Sequence, residues 1–501
     1  MPPSGEAGER LRELASGRLS TLLLKYSWPA LVSMSLNALY AVVDRFYIGR
    51  GCGEAAMAGL TLTLPVITLF AAFGVFVGMG HAAALSIKLG EGDRASCERL
   101  LGQMVAFKLA FFLTLPVLVW LNVDTVLRWC GGAKVSAEAY ACARGYLRTV
   151  LFSHVFSHLA FGCSAMMRAE GAALASMTCM IVGFGANLVL DPVFIFGLGL
   201  GVAGAAWATN IAMAASCAWA LSYYLRGRSA VPLRLSCVRF WPGLVAKPCG
   251  IGLAPFLQQT FASLINVALP AAFAKWAADA ASATTQIASL GVFQSAMILL
   301  LMPVLGAQQG IQPVIGYNWG ARNFRRVRDA YVAGFWLTTA LCVAACVLQS
   351  VPPFPRLVAR LFVAPDNPEL LKIATHDLIL SNCMLWCIGF NIVTTTYFQA
   401  IGHPAAAIVL STLRQGVVML PVIWFLPYFM ADKPFAVWLS MPVSDVLCCL
   451  MTIVPAALHL RFLSRVRDRV GTVRRNPPAP NSAGTLPNSA GTVPSCPGDN
   501  C

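Results

Sequence analysis

Charge is what this chain has least of. Only 11% of its 501 residues are Asp, Glu, Lys or Arg, while 58% are hydrophobic. A soluble domain carries roughly 25% charged residues. The scarcity excludes a water-facing globular surface, and with it the roughly three soluble domains that length alone suggests. Acids are the rarer sign, 21 against 36 Lys plus Arg, for a net charge of +15. A basic balance suits nucleic acid or an anionic membrane. The Lys and Arg sit mostly in short loops and tails, with no basic face between stacked aromatics, which argues against nucleic acid. Metal spacing is also missing. The 17 Cys include no CxxC pair and no Cys/His set at zinc spacing. Cys383, Cys387, Cys448 and Cys449 lie in apolar segments and read as small buried hydrophobes. A cleavable signal peptide is not expected, because residues 1–20 are polar and precede an apolar run too long for a signal core. The first helix therefore acts as an uncleaved insertion signal. No nucleophile cluster of the kind an enzyme needs is visible.

Apolar runs are what the chain has in abundance. A helix needs roughly 20 apolar residues to cross a bilayer. Twelve such spans are predicted, near 22–49, 56–84, 104–123, 139–167, 172–196, 202–225, 247–274, 285–316, 330–350, 372–399, 404–428 and 434–462. With the N-terminus in the cytoplasm, the inner loops and tails collect most of the Lys and Arg outside the spans, as the positive-inside rule requires. Both termini are then cytoplasmic in a multi-pass protein of the cell membrane.

The chain repeats itself. The run Gly80 to Gly90 closes the second span and Gly310 to Gly320 closes the eighth, at an offset of 230 (310 − 80 and 320 − 90). Arg168-Ala-Glu-Gly171 and Gln399-Ala-Ile-Gly402 follow at 231 (402 − 171). Two six-helix halves in parallel orientation explain this, with substrate expected at their shared interface. The domains expected are an N-terminal segment 1–21, a six-helix bundle 22–225, a cytoplasmic linker 226–246, a second bundle 247–465 and a tail 466–501. From 471 on, the Pro-, Asn-, Ser- and Gly-rich sequence contains Asn481 to Pro487 repeated as Asn488 to Pro494, a composition that predicts disorder.

A charge within a bilayer is costly and needs a reason. Asp44, Asp191 and Asp445 fall inside predicted spans. Asn37, Tyr40 and Asp44 share one helix face, and Asn187 and Asp191 share another. Tyr146 and Thr209 lie on helices running the other way. At 1.5 Å per residue, Asp44, Asp191, Tyr146 and Thr209 all fall roughly 10 Å below the outer ends of their helices. Two carboxylates, an amide, a phenol and a hydroxyl at one depth suit a buried site for a proton or Na⁺. Desolvation and a second carboxyl nearby both favour uptake of a proton. The bland alternatives are that Asp44 anchors the interface beside Arg45 and that Asp191 caps the break at Pro192. Asn37, Tyr40, Gln259, Asn266 and Asp445 are candidates to line a substrate cavity. Prolines in the spans predict kinks. Gly199-Leu-Gly-Val-Ala-Gly204 fits the dinucleotide pattern but follows a span, so it reads as a tight loop. His154 and His158, four apart, form half a metal site without a third ligand. No metal and no cofactor is expected.

The chain resembles the multidrug and toxic compound extrusion (MATE) family over roughly residues 20–465. Asn37 to Asp44 with Ile48-Gly-Arg-Gly51, Met167 to Gly171, Asn187 to Gly197, Gly201 to Thr209, Gln312 to Gly320, Leu413 to Gly416 and Pro442 to Asp445 carry the resemblance. It implies an all-α integral membrane fold with two parallel six-helix bundles around a central cleft. It also implies export of cationic or amphipathic drug-like molecules against inward H⁺ or Na⁺. Asp44 and Asp191 would be the carboxylates of its cation site, supported by Asn187, Tyr146 and Thr209. Arg45, and Ser164 in place of a frequent Asn, depart from the family pattern, and no acid lies in helix 7 or 8. Three rivals stay open: a lipid or polysaccharide flippase, for which Lys108, Arg144 and Arg148 speak, a passive channel, and a membrane enzyme. A monomer in the bilayer, with small-molecule partners, is expected.

Overall fold

The computed structural model describes residues 5–131, 135–351, 353–363 and 368–475. Sixteen α-helices follow one another: α1 (Glu6–Ser16), α2 (Leu19–Glu91), α3 (Arg94–Leu121), α4 (Val123–Trp129), α5 (Ala137–Ala169), α6 (Ala173–Pro192), α7 (Gly201–Leu225), α8 (Pro242–Trp276), α9 (Ala280–Gly320), α10 (Phe324–Ser350), α11 (Phe354–Phe362), α12 (Pro368–Asn382), α13 (Leu385–Ala400), α14 (Pro404–Thr412), α15 (Leu420–Phe425) and α16 (Lys433–Arg475). Among the described residues nine helices are long and apolar enough to cross a membrane, or ten if the bent pair α12 and α13 is one span. The first arm of α2 and helix α7 lie outside that set and complete twelve passes.

Helix α2 holds two passes joined at Gly53, whose φ of 79° and ψ of −175° are non-helical. A side chain there would meet the left-handed penalty that glycine escapes. Pro192 ends α6 in a π-helical turn, Val193–Gly197, and a second π stretch, Leu413–Met419, joins α14 to α15. Such turns free backbone groups that a packed bundle can satisfy. The bend of 46° between α12 and α13 falls at Cys383–Met384, with no proline to announce it. The linker predicted at 226–246 is shorter, since α8 already starts at Pro242. Helix α16 runs through Arg475, past the boundary expected at 465. The rest of the expected tail, 476–501, lies outside the described residues.

Apolar packing follows the two halves. One core gathers Val77, Leu101, Met104, Cys163 and Cys217 from α2, α3, α5 and α7, and another gathers Leu269, Phe273, Phe293 and Trp438 from α8, α9 and α16. A third crosses between the halves, joining Leu14, Leu22 and Tyr26 to Ile311, Val314 and Tyr397. Helix α1 is fastened to both halves. Its Arg10 donates to the Arg228 carbonyl (2.8 Å), while the Leu14 carbonyl accepts from Asn318 (3.1 Å).

Candidate functional site

Three elements of the first half bring a polar cluster together near the break at Gly53. The first arm of α2 supplies Tyr40 and Asp44, α6 supplies Asn187 and Asp191, and α7 supplies Thr209. Asn187 and Asp191 are one helical turn apart, which puts both on one face. The Asn187 Nδ2 group donates to Asp191 Oδ1 (3.1 Å) and to Thr209 Oγ1 (3.2 Å). Thr209 in turn donates to the Ala205 carbonyl (3.0 Å), so its oxygen faces Asn187 as an acceptor. The Tyr40 hydroxyl lies within hydrogen-bonding reach of Thr209 and beside Asp44 and Asp191. Its ring stacks on Phe184 at 5.3 Å. The carboxyls of Asp44 and Asp191 face each other within hydrogen-bonding reach.

Burial sharpens the chemistry. Asn187 is 0% and Asp191 1% exposed, whereas Asp44 is half-buried. Two carboxylates this close repel unless a proton or a metal cation lies between them. Asn187 Oδ1 is buried with no hydrogen-bond partner, an acceptor left open beside them. All the groups that converge here offer oxygen, the donor set a hard cation prefers. They equally suit a proton shared by two carboxyls.

The other sequence candidates are distributed differently. Tyr146 is 7% exposed and packs among Ile48, Leu147, Val150 and Ile195, in the apolar layer adjoining the cluster. Asn37 is half-buried one turn before Tyr40. Gln259 is half-buried on α8, and Asn266, exposed on the same helix, accepts from Gln294 (3.4 Å). Asp445, 4% exposed, accepts from Arg414 Nε at 2.7 Å in a buried ion pair of the second half. Asn266 and Asp445 thus have partners of their own in the second half. Of the cations that favoured a flippase, Arg144 pairs with Asp124 (2.9 Å), Arg148 lies 5.6 Å from the Trp120 ring, and Lys108 is buried against the Gly74 carbonyl (2.6 Å). His154 and His158 approach to 3.3 Å and stack on Phe70 and Phe112.

One polar group escaped the sequence reading. Asp377 on α12 is 5% exposed and accepts from the Ser289 hydroxyl (2.6 Å). It borders a cavity of about 410 Å³ with Gln286, Glu369, Lys372 and Trp438, and Gln286 accepts from the Trp438 indole (2.6 Å). The repeat was the signal available: Asp377 stands 231 residues after Tyr146, and Trp438 stands 231 after Trp207.

Comparison with known proteins agrees with this architecture. The family model MatE matches residues 29–193 and 260–425, one stretch in each half. The chain is 25% identical over 450 residues to the multidrug export protein MepA of Staphylococcus aureus (strain MSSA476), covering 90% of this chain and 95% of that protein. It is 23% identical to MepA of Staphylococcus haemolyticus (strain JCSC1435), covering 83% and 89%. Among solved structures, an outward-facing multidrug resistance MATE family transporter of the MOP superfamily superposes with a TM-score of 0.84 at 22% identity, over 92% of this chain and 100% of that one. A MATE crystal structure in a bent conformation gives 0.82 at 21% identity, over 93% and 99%. At these identities the solved structures establish the fold.

Proposed function

The chain belongs to the MatE family of membrane transporters, and on that premise we propose that it is a cation-coupled exporter of drug-like amphipathic or cationic molecules. It is a multi-pass membrane protein and not an enzyme. The multidrug substrate class is carried over from the curated relatives, which are multidrug export proteins. The observation that supports coupling is the facing pair Asp44 and Asp191, with Asn187 bridging Asp191 to Thr209. Two facing acids, one of them fully buried, suit the cyclic uptake and release of an ion that coupling requires.

In this reading the coupling ion is H⁺ or Na⁺, and both termini lie in the cytoplasm. The ion enters from outside and settles between the two carboxyls, with the Asn187 and Thr209 oxygens and the Tyr40 hydroxyl within reach. Its charge cancels the repulsion and draws the first arm of α2 toward α6 and α7. That movement bends the arm, where Pro29 lies within the helix and removes a backbone hydrogen bond, and closes the cavity of the first half. The substrate is released outward. Loss of the ion to the cytoplasm restores the repulsion and reopens the cavity, giving alternating access.

Ethidium efflux from proteoliposomes tests this. Wild type and Asp44→Asn are compared under a pH gradient and under a Na⁺ gradient, imposed separately. Gradient-driven efflux in wild type, lost in a folded variant, supports the reading and identifies the ion. Efflux indifferent to both gradients, or unchanged in Asp44→Asn, overturns it.

A further inference from the structure

Far from the acidic pair, at the end of the bundle that carries α1 and the linker, the two halves close on a small cavity. It measures about 10 Å³, room for roughly one water-sized body. Met79 and Ser86 of α2 and Arg168 of α5 line it from the first half, and Gln309 and Gln312 of α9 from the second. Three of these side chains carry buried polar atoms with no hydrogen-bond partner: Arg168 Nη2, Gln309 Oε1 and Gln312 Nε2. Arg168 and Gln312 are each 6% exposed.

The charge at this place is unbalanced. Arg168 Nη1 donates to the hydroxyls of Ser164 (3.0 Å) and Ser176 (2.7 Å), which are neutral. Among the described residues no carboxylate pairs with Arg168. Glu170 is near in sequence, but it is engaged elsewhere by Tyr223, Ser229 and the amide of Ala230. A buried cation without a counter-charge is strongly unfavourable. Water would satisfy the open donors and leave that charge uncompensated, whereas an anion does both. The two ends of a Gln amide are interchangeable by rotation, so Gln309 can also turn its NH₂ inward. Met79 is flexible enough to yield to a body slightly larger than water.

We propose that this cavity binds a single halide ion, chloride under ordinary conditions, when the two halves are closed at the linker end. Arg168 supplies the charge, Gln312 and Gln309 supply donors from across the interface, and separation of the halves dismantles the site. Chloride therefore favours the closed arrangement, because a ligand stabilises the state that binds it. The site is single. The residue related to Arg168 by the repeat is the neutral Gln399, 1% exposed.

The purified full-length protein is unfolded thermally in chloride and in gluconate at equal ionic strength. Wild type melts about 1–3 °C higher in chloride, and Arg168→Gln abolishes the difference. Gln312→Ala, which leaves the Arg168–serine bonds untouched, reduces it and serves where Arg168→Gln fails to fold. Crystals soaked in bromide show an anomalous peak beside Arg168. Equal melting in the two salts, an undiminished shift in the variants, or a cavity holding only water overturns the proposal.

Discussion

Asn187 donates to both Asp191 and Thr209 from a fully buried position, so two acceptors depend on one amide. Asn187→Ala removes both bonds and leaves Asp191 with less to orient it. A lost bond to a charged group costs about 1.5–3 kcal/mol, or roughly 10- to 150-fold in ion affinity. The variant should need that much more coupling ion for half-maximal efflux from proteoliposomes. Thr209→Val removes only one link and should shift the requirement less. Lys108 makes the opposite case. Its ammonium is buried with the Gly74 carbonyl as its hydrogen-bond partner and the Phe112 ring 5.5 Å away. Replacing a buried charge by an apolar group of similar volume is often neutral or stabilising. Lys108→Met should therefore melt at or above the wild-type temperature. A clear loss of stability would mean the ammonium has a counter-charge during folding that this arrangement does not reveal. Depth along each helix is a one-dimensional property, and it led from sequence to Asp44, Asp191, Asn187 and Thr209. Asp377 lies five residues into its predicted span, as deep as Asp44 and Asp191, and escaped because it stands there as a lone acid with no second carboxyl at its depth. The partnership of Arg414 with Asp445 escaped because it joins two successive spans, and hydropathy does not fix which of their faces meet.

Among the elements, one buried carboxylate gathers the start of the linker. Glu170, in the turn between α5 and α6, accepts from Tyr223 (2.7 Å), Ser229 (2.6 Å) and the amides of Ala230 (2.9 Å) and Val231 (3.3 Å). Burial raises its pKa above the ordinary glutamate value of 4.5, against the lowering effect of Ser229, Tyr223, Arg10 and Ala230. The folded state thus holds this proton more tightly than the unfolded chain does. The stabilisation is complete below the unfolded value and is lost as pH rises through the raised folded value. Wild type should lose thermal stability above pH 4.5 until Glu170 has ionised, and Glu170→Gln should be flatter over the same window. An identical pH profile for the two would assign the dependence to another group. Glu170→Ala should cost about 1–3 kcal/mol, because the Ala230 and Val231 amides lose their acceptor. The passes themselves were legible because hydropathy and length select membrane helices without tertiary information. Helix α1 and the short helices α4 and α11 were not, since each forms where packing against the bundle supplements a short sequence.

On the scale of the whole molecule, closure at the linker end depends on glycines placed by the repeat. Gly90 and Gly320 are repeat mates, and each faces the backbone of the other half. A Cβ on Gly90 would overlap the Tyr317 carbonyl, and one on Gly320 would overlap the Ile87 carbonyl. Residues 87 and 317 are themselves 230 apart, so the contact is reciprocal about the axis relating the halves. The repeat was visible in sequence. That its glycines touch across the axis was not, because an offset gives equivalence and not proximity. Nothing else in the fold needs these positions to be glycine, since both have negative φ. Their small size serves close approach. Gly90→Ala therefore sets a methyl against a carbonyl that has no room to move without its helix. Overpacking of this kind costs about 1–3 kcal/mol, equivalent to roughly a 5- to 150-fold shift toward separation of the halves. Gly145, on α5, has open space where its Cβ would stand, so Gly145→Ala is the matched control. Distances between spin labels on the α2–α3 and α9–α10 turns would lengthen in Gly90→Ala and stay unchanged in Gly145→Ala. Efflux would fall in the first and persist in the second, because a transporter held open at one end cannot alternate. Unaltered distances in Gly90→Ala would mean that the halves do not separate along this seam, and that alternation runs through another interface.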